Sequence, residues 1–305
     1  MISDNHPNKS NGHITVALSA YNREDTIEKA VRTILGQTYK NLTLYVVDDA
    51  STDQTVDIVK KMLSEDSRLQ LIALKENGGT YSAKNRILRD HCHGEFYAHQ
   101  DADDFSWDTR FEKQLEFLKD HPQVAGCGTG IDEFFVDPTI SPTIESEFPI
   151  KFDDKTQEYH RKVLYQPLLK QYDFVSEYVE SSNLPLITMN GSIVVRTEVI
   201  KSLGGFDGRT PIGADYEFFL RLLTLHDFGN LQEVLYSRKY HAESLTRRPD
   251  MGRGSSLRKQ YEGQWHERFK SLMPLMKSED TTALKTVLKQ DMFVAECDFE
   301  WMNEA

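Results

Sequence analysis

Cysteine is scarce. The 305 residues hold three, Cys92, Cys127 and Cys297, far apart and in no paired spacing. That excludes a disulfide framework and a cysteine-built zinc site, and it suits a reducing compartment. Cationic excess is also absent: the formal net charge is −12. A chain without surplus Lys and Arg cannot neutralise a phosphate backbone, so nucleic acid is excluded as a partner. An anionic ligand would need local compensation from a metal or a few placed cations. No apolar run approaches the roughly 20 residues of a membrane span. The opening MISDNHPNKSNG lacks the apolar core of a secretory signal. A cytoplasmic protein is therefore expected, with the inner face of the membrane as a second place for it. Internal repeats and low-complexity segments are missing too. What is present, 39% hydrophobic and 28% charged residues, is ordinary for globular chains and enough for one large or two smaller domains.

Residues 1 to 12 read as a disordered lead-in. Ile14 to Ser19, ITVALS, is a nearly continuous apolar run of the kind buried on both faces of a sheet. Ile27, Ala30, Val31, Ile34 and Leu35 then repeat at helical spacing, and Gly36 stops them. LTLYVV (Leu42 to Val47) is a second strand, ending in Asp48 and Asp49; Ser51 and Gln54 stand at capping-box spacing before the next helix. LQLIAL (Leu69 to Leu74), the turn KENGGT, a helix over Ala83, Ile87 and Leu88, and a helix over Phe111, Leu115 and Leu118 follow. VAGCGTG (Val124 to Gly130) is a fifth strand. Alternation of this length predicts parallel strands with helices on both faces. Residues 131 to 187 lose the pattern and read as an irregular insertion with a helix around Tyr159 to Tyr172. GSIVVR (Gly191 to Arg196) is a strand, TEVIKSL a short helix, DYEFFLRLLTLH a strong helix from Asp215, and EVLYSRKYH (Glu233 to His241) a last extended segment. The divisions expected are 13–130 and 131–250, followed by a helical extension, 251–305. In that extension Trp265, Phe269, Met273 and Met276 either pack on the domain or offer a face to a membrane surface or a second copy.

Polar residues gather where the strands end: Ser19 and Tyr21, Asp48 and Asp49, Asn77 to Gly79, then Asp101, Asp103 and Asp104 in the stretch EFYAHQDADDFSWD. Ligands of open parallel sheets sit outside these carboxyl ends. Three carboxylates within four positions repel one another and suit a hard divalent cation, although acidic residues also end strands and cap helices, as Asp108 could.

The series VALSAYNRE, ILGQTY, VVDDASTD, NGGTYSAKN, DADD, GGFD, GADYEFFLRL and RKYHAESLT, in this order, resembles the inverting family 2 glycosyltransferases. The resemblance covers about residues 13 to 247 and implies a GT-A fold, Rossmann-like, with a mostly parallel sheet. By that match Ser19, Tyr21 and Glu24 lie beside a uracil, and Asp49, or else Asp48, reads its edge. Gly79 lets the backbone approach the nucleotide, and Lys84 stands where many relatives have Arg. Asp101 falls near ribose and metal, and Asp103 binds Mn²⁺ or Mg²⁺; His241 adds a ligand, while Arg238 and Ser244 contact phosphate. Asp104 caps the next turn. Asp215 is the catalytic base, although Ala214 departs from the Glu usual before it, and Glu217 points elsewhere.

The activity implied is transfer of a hexose or N-acetylhexosamine from a UDP-sugar to a hydroxyl of a glycan or lipid-linked acceptor, with inversion, in bacterial surface polysaccharide synthesis. Two alternatives stand. One is a nucleotidyltransferase, which would release pyrophosphate and usually shows a Gly-rich loop that AYNREDTIEKA lacks. The other is a non-catalytic nucleotide-binding module.

Overall fold

The computed structural model of the protein describes residues 12–136, 149–181, 186–241, 244–252, 254–278, 280–296 and 298–302, with Phe299 and Trp301 as backbone alone. The lead-in expected at 1 to 12 lies outside these residues except for Gly12.

Strands β1 (Ile14–Ala20), β2 (Leu42–Asp48), β3 (Leu69–Leu74) and β4 (Phe96–Asp101) alternate with helices α1 (Ile27–Leu35), α2 (Thr55–Met62) and α3 (Thr80–Asp90). The strands are parallel in the order β3-β2-β1-β4. Period two decides which way each side chain faces. Val16 and Leu18 pack with Val31 and Ile34 of α1 on one face, and Ala17 packs with Ala83 and Ile87 of α3 on the other. Each fully buried aliphatic side chain of this kind stabilises by roughly 1.5–3 kcal/mol. The capping box expected at Ser51 and Gln54 does not form. Asp53 instead accepts the Thr55 N–H at 2.9 Å, and Ser51 gives its own N–H to Asp48.

Next come β5 (Phe105–Ser106), α4 (Arg110–Asp120) and a long β6 (Val124–Phe135). In the expected insertion the helix over 159–172 is absent. Its residues form a hairpin of β7 (Lys151–Asp153) and β8 (Glu158–Val163), a short β9 (Leu168–Leu169), and only then α5 (Asp173–Ser181). The reason is pairing: β8 runs antiparallel to the second half of β6, with Ile131 opposite Val163, so backbone groups that a helix would satisfy locally are satisfied across the sheet.

The chain continues with β10 (Val194–Arg196), α6 (Thr197–Ser202), α7 (Ala214–Leu225) and β11 (Asp227–Lys239). The short β10 enters antiparallel between β4 and β6, so the fifth expected strand keeps the common direction but is not next to the fourth. β11 lies parallel to β6 on its other side.

The helical extension holds α8 (Ser256–Lys277) and α9 (Thr281–Leu288), yet it ends in a strand, β12 (Phe299–Trp301), antiparallel to β3 at the sheet edge. Between them the chain straps α3: Asn85 donates to the Phe293 carbonyl at 2.8 Å, and the Ala295 N–H donates to Ser82 at 2.7 Å. Trp265, Phe269 and Met276 are buried in the core with α7. Of the two expectations for the extension, these three residues meet the first and pack on the domain, with Met273 partly buried against the same core. Among the described residues no helix is long and apolar enough to cross a membrane.

Candidate active site

The carboxyl ends of β1, β2 and β4 open on one side of the sheet, and α7, α8 and β11 close round them. The result is a cavity of about 910 Å³, lined by Ser19, Tyr21, Asp49, Gly79, Lys84, Asp101, Asp103, Asp215, Arg238 and Ser244. Ten residues expected at the site from separate motifs therefore share one space.

On the β2 side, Asp49 is buried and clasps the glycine loop, accepting the N–H of Gly78 at 2.7 Å and of Gly79 at 2.9 Å. Gly79 has φ 85°, a conformation that favours glycine, and this turns its N–H onto the carboxylate. Burial pushes the Asp49 carboxyl above its ordinary value, and the two amide bonds oppose that shift. Asp48, one residue earlier, faces the other way. It is buried and spends an oxygen on the Ser51 N–H at 2.9 Å. Glu24 accepts the Gln54 N–H at 2.9 Å. Asp48, Glu24 and His241 are not among the residues that line the cavity, and His241 joins it through Asp103. Tyr21 is 46% exposed at the mouth. Ser19 bonds the Thr80 hydroxyl at 2.6 Å.

The acidic turn after β4 separates its carboxylates by task. Asp101 pairs with the buried Lys84 at 3.2 Å. Asp103 lies 3.3 Å from Arg23 and 3.1 Å from His241 Nε2. Burial pushes the Asp103 carboxyl up, but the His241 hydrogen bond and the Arg23 charge outweigh it and hold the group below its ordinary value. Asp104 turns inward: it accepts the Tyr236 hydroxyl at 2.9 Å and the Lys239 N–H at 2.8 Å. Burial, then the charges of Asp103 and Asp101, push it well above the carboxylate range. So Asp104 pins β11 beneath the turn and does not cap α4. Gly191 makes room for this clasp, since a Cβ there would stand 2.1 Å from the Tyr236 hydroxyl and 2.8 Å from Asp101 Oδ2. Beneath the turn, Gln100 donates to the carbonyls of Asp101 and Asp104 and is held by the buried Arg110.

Asp101, Asp103 and His241 offer two carboxylates and an imidazole, donor chemistry that fits Mn²⁺ or Mg²⁺. As they stand they pair with Lys84, Arg23 and one another, and among the described residues no group of three such side chains is arranged to hold a metal.

Asp215 stands in the first turn of α7, with Tyr81 donating its hydroxyl to Oδ1 at 2.9 Å. Burial, followed by the Asp215 charge, pushes the Tyr81 phenol well up, which keeps it a donor. Glu217 does point elsewhere. It is buried against Arg221 at 2.9 Å and Arg268 at 2.7 Å. Arg238 is held by Glu133 at 3.0 Å and donates to Thr246 at 3.1 Å. Glu133 also bonds Arg161 of the hairpin.

Arg23, Thr80, Tyr81 and Tyr236 also belong to this site. The first three lie within VALSAYNRE and NGGTYSAKN. Tyr236 carries no local signal, because its partner Asp104 is brought to it only by β11 crossing the sheet.

Residues 15–174 match the model of glycosyl transferase family 2. EpsE of Bacillus subtilis (strain 168), a protein named as a glycosyltransferase, is 30% identical over 243 residues, 77% of this chain and 76% of EpsE. Among solved structures, residues 1–349 of TarS from S. aureus in complex with UDP share the fold with a TM-score of 0.56 at 19% identity, over 85% of this chain and 71% of that one. The mannosyltransferase PcManGT from Pyrobaculum calidifontis, in complex with GDP-Man and Mn²⁺, does so with a TM-score of 0.53 at 16% identity, over 90% and 78%. The chain belongs to glycosyl transferase family 2, and it is a glycosyltransferase with the GT-A fold.

Proposed function

We propose that this glycosyltransferase moves a sugar from a UDP-sugar to a hydroxyl of a glycan or lipid-linked acceptor in one inverting displacement assisted by Mn²⁺ or Mg²⁺. One observation carries the reading: a single cavity joins the Asp49 clasp, the paired acids after β4 and Asp215. TarS with UDP, and PcManGT with GDP-Man and Mn²⁺, support a nucleotide-sugar donor and a divalent metal.

Tyr21 offers a half-exposed ring to stack on uracil. Both Asp49 oxygens already accept a backbone N–H, but each keeps a second lone pair, enough for a base N–H. Lys84 and Arg238 supply fixed positive charge for the diphosphate, with Ser244 at the same wall. Asp101, Asp103 and His241 would hold the metal. When bound, the cation supplies charge that stabilises the departing diphosphate. Asp215 takes the proton of the acceptor hydroxyl as that oxygen attacks the anomeric carbon. Tyr81 fixes one carboxylate oxygen and leaves the other for the proton.

The acceptor half comprises residues 131–250 with α8 above it, and surface polysaccharide synthesis is the process that fits such an acceptor. The test is UDP release across a panel of nucleotide sugars, with Mn²⁺ or with EDTA, and with glycan acceptors present and absent. Turnover of a UDP-sugar that needs the cation supports the proposal. Turnover confined to another nucleotide sugar, or undiminished in EDTA, contradicts it.

A further inference from the structure

The side of the cavity beyond Asp215 holds an arginine that neither the fold nor the donor accounts for. Arg258 lies in the first turn of α8, and with Glu262 one turn on, it lines the cavity. The residue is 9% exposed. Its Nε donates to Glu262 Oε1 at 2.8 Å. Among the described residues no hydrogen-bond acceptor meets its two Nη groups.

Two other buried arginines, Arg221 and Arg110, are filled on both Nη groups. Arg221 donates Nε to Glu217 and its Nη groups to the carbonyls of Leu203 and Gly205. Arg110 gives its Nη groups to Gln100, Ser106 and the carbonyls of His99 and Ile193. The Arg258 Nη groups are not sealed from solvent, so they stay available to an acceptor atom that enters the cavity. The neighbouring Arg248 differs, because it is exposed and already bound to Asp250 at 2.6 Å. The same cavity is lined by the apolar side chains of Ile212 and Phe219. Its charge also reaches Tyr81, which places it on the Asp215 side of the cavity.

We propose that the acceptor carries an oxyanion, a phosphate ester or a carboxylate, and that the Nη fork of Arg258 receives it and so orients the hydroxyl toward Asp215. Guanidinium and oxyanion match as a two-point pair, which a neutral glycan does not offer. With a net charge of −12 and acidic Asp215 and Glu262 on the same wall, such an acceptor would otherwise be repelled. The inference rests on Asp215 facing the acceptor, as proposed above.

Matched acceptors test it: octyl glycosides of glucose, galactose and N-acetylglucosamine, the octyl phosphodiesters of the same sugars, and the octyl hexuronides. Each is assayed with full-length enzyme and whichever nucleotide sugar it turns over. The wild type is expected to use the phosphodiester or the hexuronide with a kcat/KM about ten- to a hundredfold above the neutral glycoside, and the better of the two names the oxyanion. Arg258→Gln should erase that ratio by raising the acceptor KM, and Arg258→Lys should restore part of it. Thermal melts of both variants check folding. Equal use of charged and neutral acceptors by the wild type, or an equal loss on both in Arg258→Gln, overturns the inference and leaves the donor reading standing. Absence of turnover with every nucleotide sugar refutes the donor reading, and the inference falls with it.

Discussion

The hydroxyl of Tyr81 donates to Oδ1 of Asp215 across 2.9 Å and ties the start of α3, beside the glycine loop, to the start of α7. In the proposed function, this one hydrogen bond joins the nucleotide side to the acceptor side. Tyr81→Phe should keep the ring against Phe206, 5.8 Å away between centroids, and so keep the fold. Asp215 would lose its fixed orientation, and kcat should fall about ten- to a hundredfold with the donor KM within about twofold. Steady-state kinetics decide it: an unchanged kcat removes Tyr81 from the mechanism.

Metal removal is the second test. Asp103 is held by Arg23 and by His241, contacts that a divalent ion would take over. EDTA should lower UDP release by about a hundredfold, and Mn²⁺ or Mg²⁺ should restore it. Asp103→Ala should lose more activity than His241→Ala, because it removes a charge as well as a ligand. Full activity in EDTA contradicts the metal role.

Tyr236→Phe probes the clasp under the acidic turn. Asp104 Oδ2 loses its donor while staying buried, which should cost about 1–3 kcal/mol of stability. Urea denaturation measures it, and a change below about 0.5 kcal/mol would mean that the clasp does not hold the turn.

A pH test comes from His226, away from the cavity at the end of α7. Burial, then the charge of Lys285, holds its imidazole below the ordinary value. The folded form therefore stays neutral where the unfolded chain takes a proton. Its contribution is fully present above about pH 6.5 and is lost as pH falls toward the folded pKa, at no more than about 1.4 kcal/mol per pH unit. Urea midpoints at pH 7.5 and 5.5 should fall less in His226→Gln than in the wild type. Equal falls would show that His226 does not titrate in this window.

How far the sequence led depended on how local each signal was. ITVALS, LTLYVV and LQLIAL read as buried strands because their apolar runs are nearly continuous, with Gln70 the main break, and the ends of the first two lie beside residues that line the cavity. Asp48 and Asp49 could not be told apart by type. The pleat sends adjacent side chains to opposite faces, and only the place of the glycine loop decides which one meets the cavity. The helix expected over 159–172 failed because β8 has its partner some 28 residues back in β6. The antiparallel entry of β10 depends on the same kind of distant pairing. Arg258 and the C-terminal strap over α3 left no trace in any motif, since their meaning comes from neighbours far away in the chain.

The most direct measurement is Asp215→Asn, assayed for UDP binding by calorimetry and for sugar transfer under the same conditions. Asn keeps the size and can still accept from Tyr81, but it cannot serve as the base. UDP affinity within about twofold of the wild type, together with a kcat lower by about a hundred- to ten-thousandfold, is the predicted result. A variant that still transfers sugar at a rate near the wild type would contradict the account.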